Sequence, residues 1–234
     1  MIDIIAFDAD DTLWENESFY TRAKSRFVEL VSKYQSPAMV EQRLNEIEIY
    51  NIRYYGYGIK SFILSMIETA IDLSEGRVDG WMIQQIIDLA KEVLSAEVSL
   101  FEHAEDTVIK LAKRFDLMLI TKGEQWEQER KIRRSGLAKY FRYIEIVGDK
   151  TQEAYLSILA KYQIEPAGFL MVGNSIKSDI LPVLAIGGQV VYIPYENTWF
   201  HELEIGGEEN LAYDELAHLG LLPDYIERVA NRID

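Results

Sequence analysis

The chain has 234 residues, 48% of them hydrophobic, which suits one large folded domain or a domain carrying a substantial insertion. A formal net charge of −15 disfavours nucleic-acid backbones and anionic lipid surfaces as partners, while a small anionic substrate can still enter a locally positive pocket. Cysteine is absent, which removes disulfides and thiolate metal sites and suits a reducing cytosol. No apolar run approaches the ~20 residues of a membrane span. Asp3 and a short strand-like run stand where a signal peptide would need a basic region and a long apolar one, so a soluble, cytoplasmic protein is expected.

Ile4, Ile5, Ala6 and Phe7 form a short apolar run of strand-forming residues that leads straight into Asp8, Asp10 and Asp11. Carboxylates this close repel one another and favour protonation unless a positive group sits among them, and a hard divalent cation with oxygen ligands is the simplest solution. Acids after a strand also serve as turn residues or helix caps, a role open to Asp11 and Thr12.

From residue 17 to about residue 96, apolar residues recur at helical spacing, as in Phe27, Leu30, Val31 and Tyr34, then Ile59, Phe62, Ile63 and Met66, then Ile83, Ile86, Ile87 and Leu94. Breaks at Ser36-Pro37, at 56–58 and at 74–76 divide the stretch into four helices of bundle type. Residues 16–100 are therefore read as a helical insertion, and 1–15 with 101–234 as the domain that it interrupts.

Beyond His103 helices and strands alternate. The pattern predicts a helix over 104–113, a strand over 117–120 stopping at Thr121-Lys122-Gly123, a helix to about 134 and a strand over 143–147. A helix over 151–162 follows, then a strand over 169–172 running into Gly173-Asn174-Ser175, a helix over 179–185, a strand over 190–193 and a C-terminal helix. Short buried strands alternating with helices predict an α/β fold with a doubly wound parallel sheet, whose ligands bind beyond the carboxyl ends of the strands. Residues 206–210 read as a solvated loop.

Polar clusters fall at four of those strand ends: Asp8-Ala9-Asp10-Asp11-Thr12; Thr121 with Gly123, whose missing side chain would let backbone N–H groups approach an anion; Lys150; and Gly173-Asn174-Ser175 with Asp179. In this order they resemble the four motifs of the haloacid dehalogenase-like superfamily of hydrolases, members with a helical cap of the first type, and the resemblance covers essentially the whole chain. It implies a Rossmann-like core with an inserted all-helical cap that closes over the site and supplies specificity.

The resemblance also implies roles. Asp8 would attack phosphorus and form an aspartyl phosphate, and Asp10 would protonate the leaving oxygen and later take a proton from water. Mg2+ would be held by Asp8, the backbone carbonyl of Asp10 and the fourth motif, Asn174 with Asp179 as an outer or second ligand. Thr121, Lys122, Gly123 and Lys150 would bind the phosphoryl group, with Lys150 also neutralising Asp8. The family usually has aspartate where this chain has Asn174, which removes one negative charge and should weaken metal binding. The implied activity is hydrolysis of a small phosphorylated metabolite. A phospho-ligand binding or regulatory protein with reduced turnover is the alternative, and a 2-haloacid dehalogenase-type hydrolase a third; the acid at Asp10 favours esters, because a leaving halide needs no proton. Monomer and homodimer stay equally open.

The remaining polar features read as structural. Glu17, Tyr20, Arg53, Tyr54, Tyr55, Tyr57 and Lys60 could contact substrate, but the tyrosines are expected mostly to pack the helical bundle or its hinge. Trp14 and Asn16 are assigned to the hinge. Arg130, Lys131, Arg133 and Arg134 are expected to form a solvated helix face. His103, His201 and His218 have no metal-ligand spacing, which argues against zinc.

Overall fold

The computed structural model describes residues 2–199, 202 and 212–230; His201 and the loop expected at 206–210 lie outside them. The chain divides into two compact units, Ser18–Glu97 and the remainder.

The chain starts with strand β1 (Ile4–Phe7), buried along its whole length. Four helices follow: α1 (Glu17–Val31), α2 (Pro37–Tyr55), α3 (Ile59–Leu73) and α4 (Gly80–Ser95). Their starts and stops are written locally. Pro37 opens α2 with a fixed φ and no N–H to waste, Gly56 at φ +70 ends it, and the Asp79 carboxylate caps α4 by accepting from the Met82 N–H at 2.8 Å. Phe27, Val31, Leu44, Phe62, Met66 and Ile86 close a core that belongs to this unit alone. Within it Asn51 donates to Ser65 Oγ (3.1 Å) and Glu68 Oε2 (2.9 Å), a buried polar tie between α2 and α3.

The tyrosines at the end of α2 depart from the expectation. Tyr54 and Tyr55 are 66% and 55% exposed, and the Tyr54 ring contacts those of Tyr50 and Tyr55. The buried residues of α2 are Val40, Leu44, Ile47 and Asn51, so its inward stripe stops before the last turn. Tyr20 does pack, with its ring 5.2 Å from that of Phe62.

The second unit continues with α5 (Ala104–Leu111), β2 (Asp116–Lys122), α6 (Gln125–Arg134), β3 (Tyr143–Val147), α7 (Gln152–Tyr162), β4 (Phe169–Gly173), α8 (Leu181–Ala185), β5 (Gln189–Tyr192), β6 (Asp214–Glu215) and α9 (Leu222–Ala230). The strands pair in the order β3-β2-β1-β4-β5-β6, every pairing parallel, so β1 lies between β2 and β4 with Phe7 level with Leu119 and Val172. Strand alternation supplies both faces. Ile5, Phe7, Leu117, Leu119 and Val172 pack with α5 and α9 residues such as Val108 and Ile226, while Ile4, Ala6, Met118, Ile120 and Met171 pack with Tyr155, Ile158 and Val183 from α7 and α8. This is the α/β doubly wound fold.

Two details were not anticipated. The helix expected over 179–185 is a π-helical turn, Ile176–Ile180, followed by the short α8. Pro182 has no N–H to give the Ser178 carbonyl four residues back, and the Tyr155 hydroxyl supplies that hydrogen bond instead, at 3.0 Å. Strand β6 is two residues long and carries no alternation to read.

Candidate active site

The strand order places the ends of β1, β2 and β4 side by side, and the loops leaving them carry the acids. The Asp8 N–H continues the β1–β4 ladder by donating to the Val172 carbonyl at 2.9 Å, which sets the Asp8 side chain just past the strand. Asp8 Oδ1 pairs with Lys150 Nζ, and Asp8 Oδ2 accepts from the Thr12 hydroxyl at 2.9 Å. Lys150 is the last residue before Thr151, whose hydroxyl caps α7 through the Ala154 N–H, so the lysine sits at a strand-to-helix turn. Its ammonium also pairs with Asp179 Oδ1 at 2.6 Å, while Asp179 Oδ2 accepts from the Ser175 N–H at 3.0 Å. Gly173 makes room for this: a Cβ there would lie 2.2 Å from Asp179 Oδ2.

Asp8, Lys150 and Asp179 are thus two carboxylates on one ammonium, all buried. Burial pushes the Asp8 carboxyl up to about 7, with Lys150 opposing the rise and Asp179 adding to it. Burial would also lower Lys150, but Asp179 and Asp8 outweigh it and keep the ammonium protonated above its usual range. The lysine therefore stays cationic, and Asp8 is the group whose charge is expensive.

Asp10, two residues on, points elsewhere. Its Oδ2 accepts from Lys131 Nζ (2.5 Å) and Gln128 Nε2 (2.8 Å), and its Oδ1 from the Trp14 indole N–H (2.7 Å). This corrects one expectation. Lys131 is no solvated residue: its side chain is 17% exposed and pairs with Asp10, whereas Arg133 and Arg134 do face solvent. Trp14 is fully buried and Asn16 Oδ1 accepts from Lys131 at 3.1 Å, so both belong to the surroundings of Asp10. Asp11, at φ +61, accepts from the Asn16 and Glu17 N–H groups and shapes the turn as expected.

At the end of β2, Thr121 is buried in register with Ile146 of β3. Lys122 turns its ammonium to Ser178 Oγ (2.9 Å) and the Glu202 carboxylate. The Gly123 N–H donates to the Val147 carbonyl at 3.1 Å, and a Cβ at this residue would stand 2.8 Å from Gln128 Nε2, so the glycine admits the Gln128 amide. Glu202 ties the end of β2 to the end of β4, since it also accepts from the Ser175 and Ser178 hydroxyls. Burial would raise its pKa, but Lys122 and the two hydroxyls hold it down at about 2.

Glu202, Gln128 and Lys131 were missed as parts of this region. Gln128 had a readable signal, because it lies four residues before Ile132, a buried apolar residue of α6, whereas Lys131 is adjacent to Ile132 and had no such spacing. Glu202 had none.

Among the described residues no three Asp, Glu or His side chains converge as a metal cage, because Asp10 and Asp179 are turned to lysines. The oxygens that remain still suit a hard cation. Asp8 Oδ2 and Asn174 Oδ1 both abut Thr12 Oγ1, at 2.9 and 3.1 Å, and one hydroxyl proton serves only one of them.

Comparison with known proteins places these residues in a family. A model described as haloacid dehalogenase-like hydrolase matches residues 2–187. The crystal structure of a haloacid dehalogenase-like family hydrolase from Xanthomonas campestris superposes with a TM-score of 0.88 at 34% identity, covering 100% of this chain and 95% of that one. Glyceraldehyde 3-phosphate phosphatase of Pyrococcus furiosus is 24% identical over 235 residues, 97% of this chain and 94% of its own. The 5-amino-6-(5-phospho-D-ribitylamino)uracil phosphatase YigB of Escherichia coli K12 is 24% identical over 213 residues, 84% of this chain and 85% of its own.

Proposed function

Because the chain belongs to the haloacid dehalogenase-like hydrolases, we propose that it is a magnesium-dependent phosphatase that cleaves the phosphate monoester of a small metabolite through an aspartyl phosphate on Asp8. The observation that carries this reading is the pairing of Asp8 with Lys150 beside a second, separately held acid at Asp10.

In the first displacement Asp8 attacks phosphorus, the bond to the leaving oxygen breaks, and Asp10 gives that oxygen a proton. In the second, water attacks the phosphorus of the aspartyl phosphate, Asp10 takes its proton, and Asp8 is released with inorganic phosphate. Lys150 keeps Asp8 oriented and offsets the charge that the phosphoryl group brings, and Thr121 offers its hydroxyl to a phosphoryl oxygen. Magnesium, held by Asp8, Asn174 and the Asp10 carbonyl, would neutralise phosphate charge so that one anion can approach another. Phosphatases among the relatives support a small phosphorylated substrate, and the cysteine-free composition suits a cytoplasmic setting.

Release of phosphate from p-nitrophenyl phosphate and a panel of phosphorylated metabolites, with and without magnesium, tests the reading. Turnover that needs magnesium and disappears in Asp8→Asn is expected; a folded, metal-loaded protein that leaves the whole panel intact contradicts it. Asn174 favours a second reading, a phospho-ligand binding protein of low turnover, which requires Asn174→Asp to raise turnover greatly.

A further inference from the structure

Asp10 is gripped from three sides. A carboxylate offers about four acceptor positions. Lys131 and Gln128 take both on Oδ2, and the Trp14 indole takes one on Oδ1. Among the described residues a single lone pair is left, on Oδ1.

The gripping groups are themselves fixed. Gln128 Nε2 faces two acceptors, Asp10 Oδ2 and the Lys122 carbonyl at 3.1 Å, so the amide has one tolerable orientation. That orientation leaves Gln128 Oε1 buried without a partner, a cost the fold accepts to keep the N–H groups on Asp10. Lys131 spends its three N–H bonds on Asp10, Asn16 Oδ1 and, at 3.5 Å, Glu127 Oε1. It has no donor left for a substrate. Gly123 belongs to the same arrangement, because any side chain there would collide with the Gln128 amide.

We propose that Lys131 and Gln128, with the Trp14 indole, are positioning residues that fix the Asp10 carboxylate so that Oδ1 alone presents a proton to the leaving oxygen. This rests on the phosphatase reading above. As the phosphorus–oxygen bond to the leaving group breaks, the proton on Oδ1 passes to the departing oxygen; in the second displacement the attacking water returns a proton to the same atom while the bond from Asp8 to phosphorus breaks. Without the grip the carboxylate rotates, and proton transfer fails while phosphate binding is unaffected.

Leaving groups that need the proton report on the grip. Phenolate is much the more basic leaving group, and p-nitrophenolate departs readily without protonation, so kcat and KM are measured on phenyl phosphate and p-nitrophenyl phosphate with magnesium. Lys131→Met and Gln128→Met are expected to lower kcat on phenyl phosphate about tenfold more than on p-nitrophenyl phosphate, with KM changed less than about twofold. Lys131→Arg should restore most of the loss, and Lys131→Met should add nothing to Asp10→Asn. Equal losses on the two esters, an effect confined to KM, or full additivity with Asp10→Asn overturns the proposal. Gln128→Met leaves every charge in place and decides the matter if Lys131→Met does not fold. Wild-type protein that leaves the metabolite panel intact as well as both esters, or turnover that survives Asp8→Asn, removes the phosphatase reading itself, and is seen before any Lys131 variant is compared.

Discussion

Thr12 and Asn174 meet at Asp8: the Thr12 hydroxyl lies 2.9 Å from Asp8 Oδ2 and 3.1 Å from Asn174 Oδ1, so one proton is shared by an acid and an amide oxygen. A carboxylate in place of the amide would face Asp8 across that single hydroxyl. Asn174→Asp is therefore predicted to bind magnesium more tightly, lowering the concentration for half-maximal activity about tenfold, and to melt earlier than wild type in chelator. An unchanged magnesium titration would show that residue 174 does not set metal affinity.

Lys150 stabilises two buried carboxylates at once. Lys150→Met should lower stability in urea by roughly 3–5 kcal/mol at pH 8 and abolish phosphate release. The stability loss should shrink at pH 5, where protonation of the stranded acids relieves the repulsion. A loss independent of pH would mean that lost packing, not charge, is responsible.

Asp11 gives a pH prediction free of the proposed chemistry. Burial raises it from its ordinary 3.8 to about 7, against the Glu17 and Asn16 N–H groups that favour its anion. The folded state thus keeps a proton that the unfolded chain loses between about pH 4 and 7, and stability falls as pH rises through that window. Asn carries no charge and tolerates the φ of +61. Asp11→Asn should therefore melt above wild type at pH 8 by an amount on the order of 1–2 kcal/mol, with a smaller gap at pH 5; a gap that narrows toward pH 8 contradicts the sign.

Glu202 bridges the ends of β2 and β4 through Lys122, Ser175 and Ser178. Glu202→Gln keeps the shape and removes the charge, leaving the Lys122 ammonium beside an amide. A loss of about 2–3 kcal/mol is expected, with phosphate release lowered through kcat. Wild-type stability in the variant would make the bridge a passive surface contact.

The parts of the site that were legible share one property: they follow strands whose apolar runs announce them. Asp8, Thr121, Lys150 and Asn174 each come within a few residues of such a run, and the strand predicted over 143–147 matches β3. What escaped notice sits on polar helices and loops. Lys131 lies in the basic series ERKIRR, where a residue turned inward and one turned outward look alike until the sheet supplies Asp10. Gly123 shows the same limit: its importance was readable from its place after β2, but its reason is the Gln128 amide and not an open backbone N–H. The tyrosines of α2 failed in the opposite sense, because aromatic residues near a helix end are buried only if the inward stripe reaches them.

Strand β1 pairs through Ile4 with Asp116 and Phe169, both more than a hundred residues further along the chain. During synthesis the helices of Ser18–Glu97 can close their local core early, because their contacts are near in sequence. The segment bearing Asp8 must wait, without a sheet, until β2 and β4 have both emerged. A nascent chain stopped before residue 172 has neither the Val172 carbonyl that receives the Asp8 N–H in its final pairing nor Asp179 to share Lys150. The segment bearing Asp8 is made before the strands that hold it and is locked only once β4 has emerged, which keeps the pocket unassembled in every chain that ends before that strand.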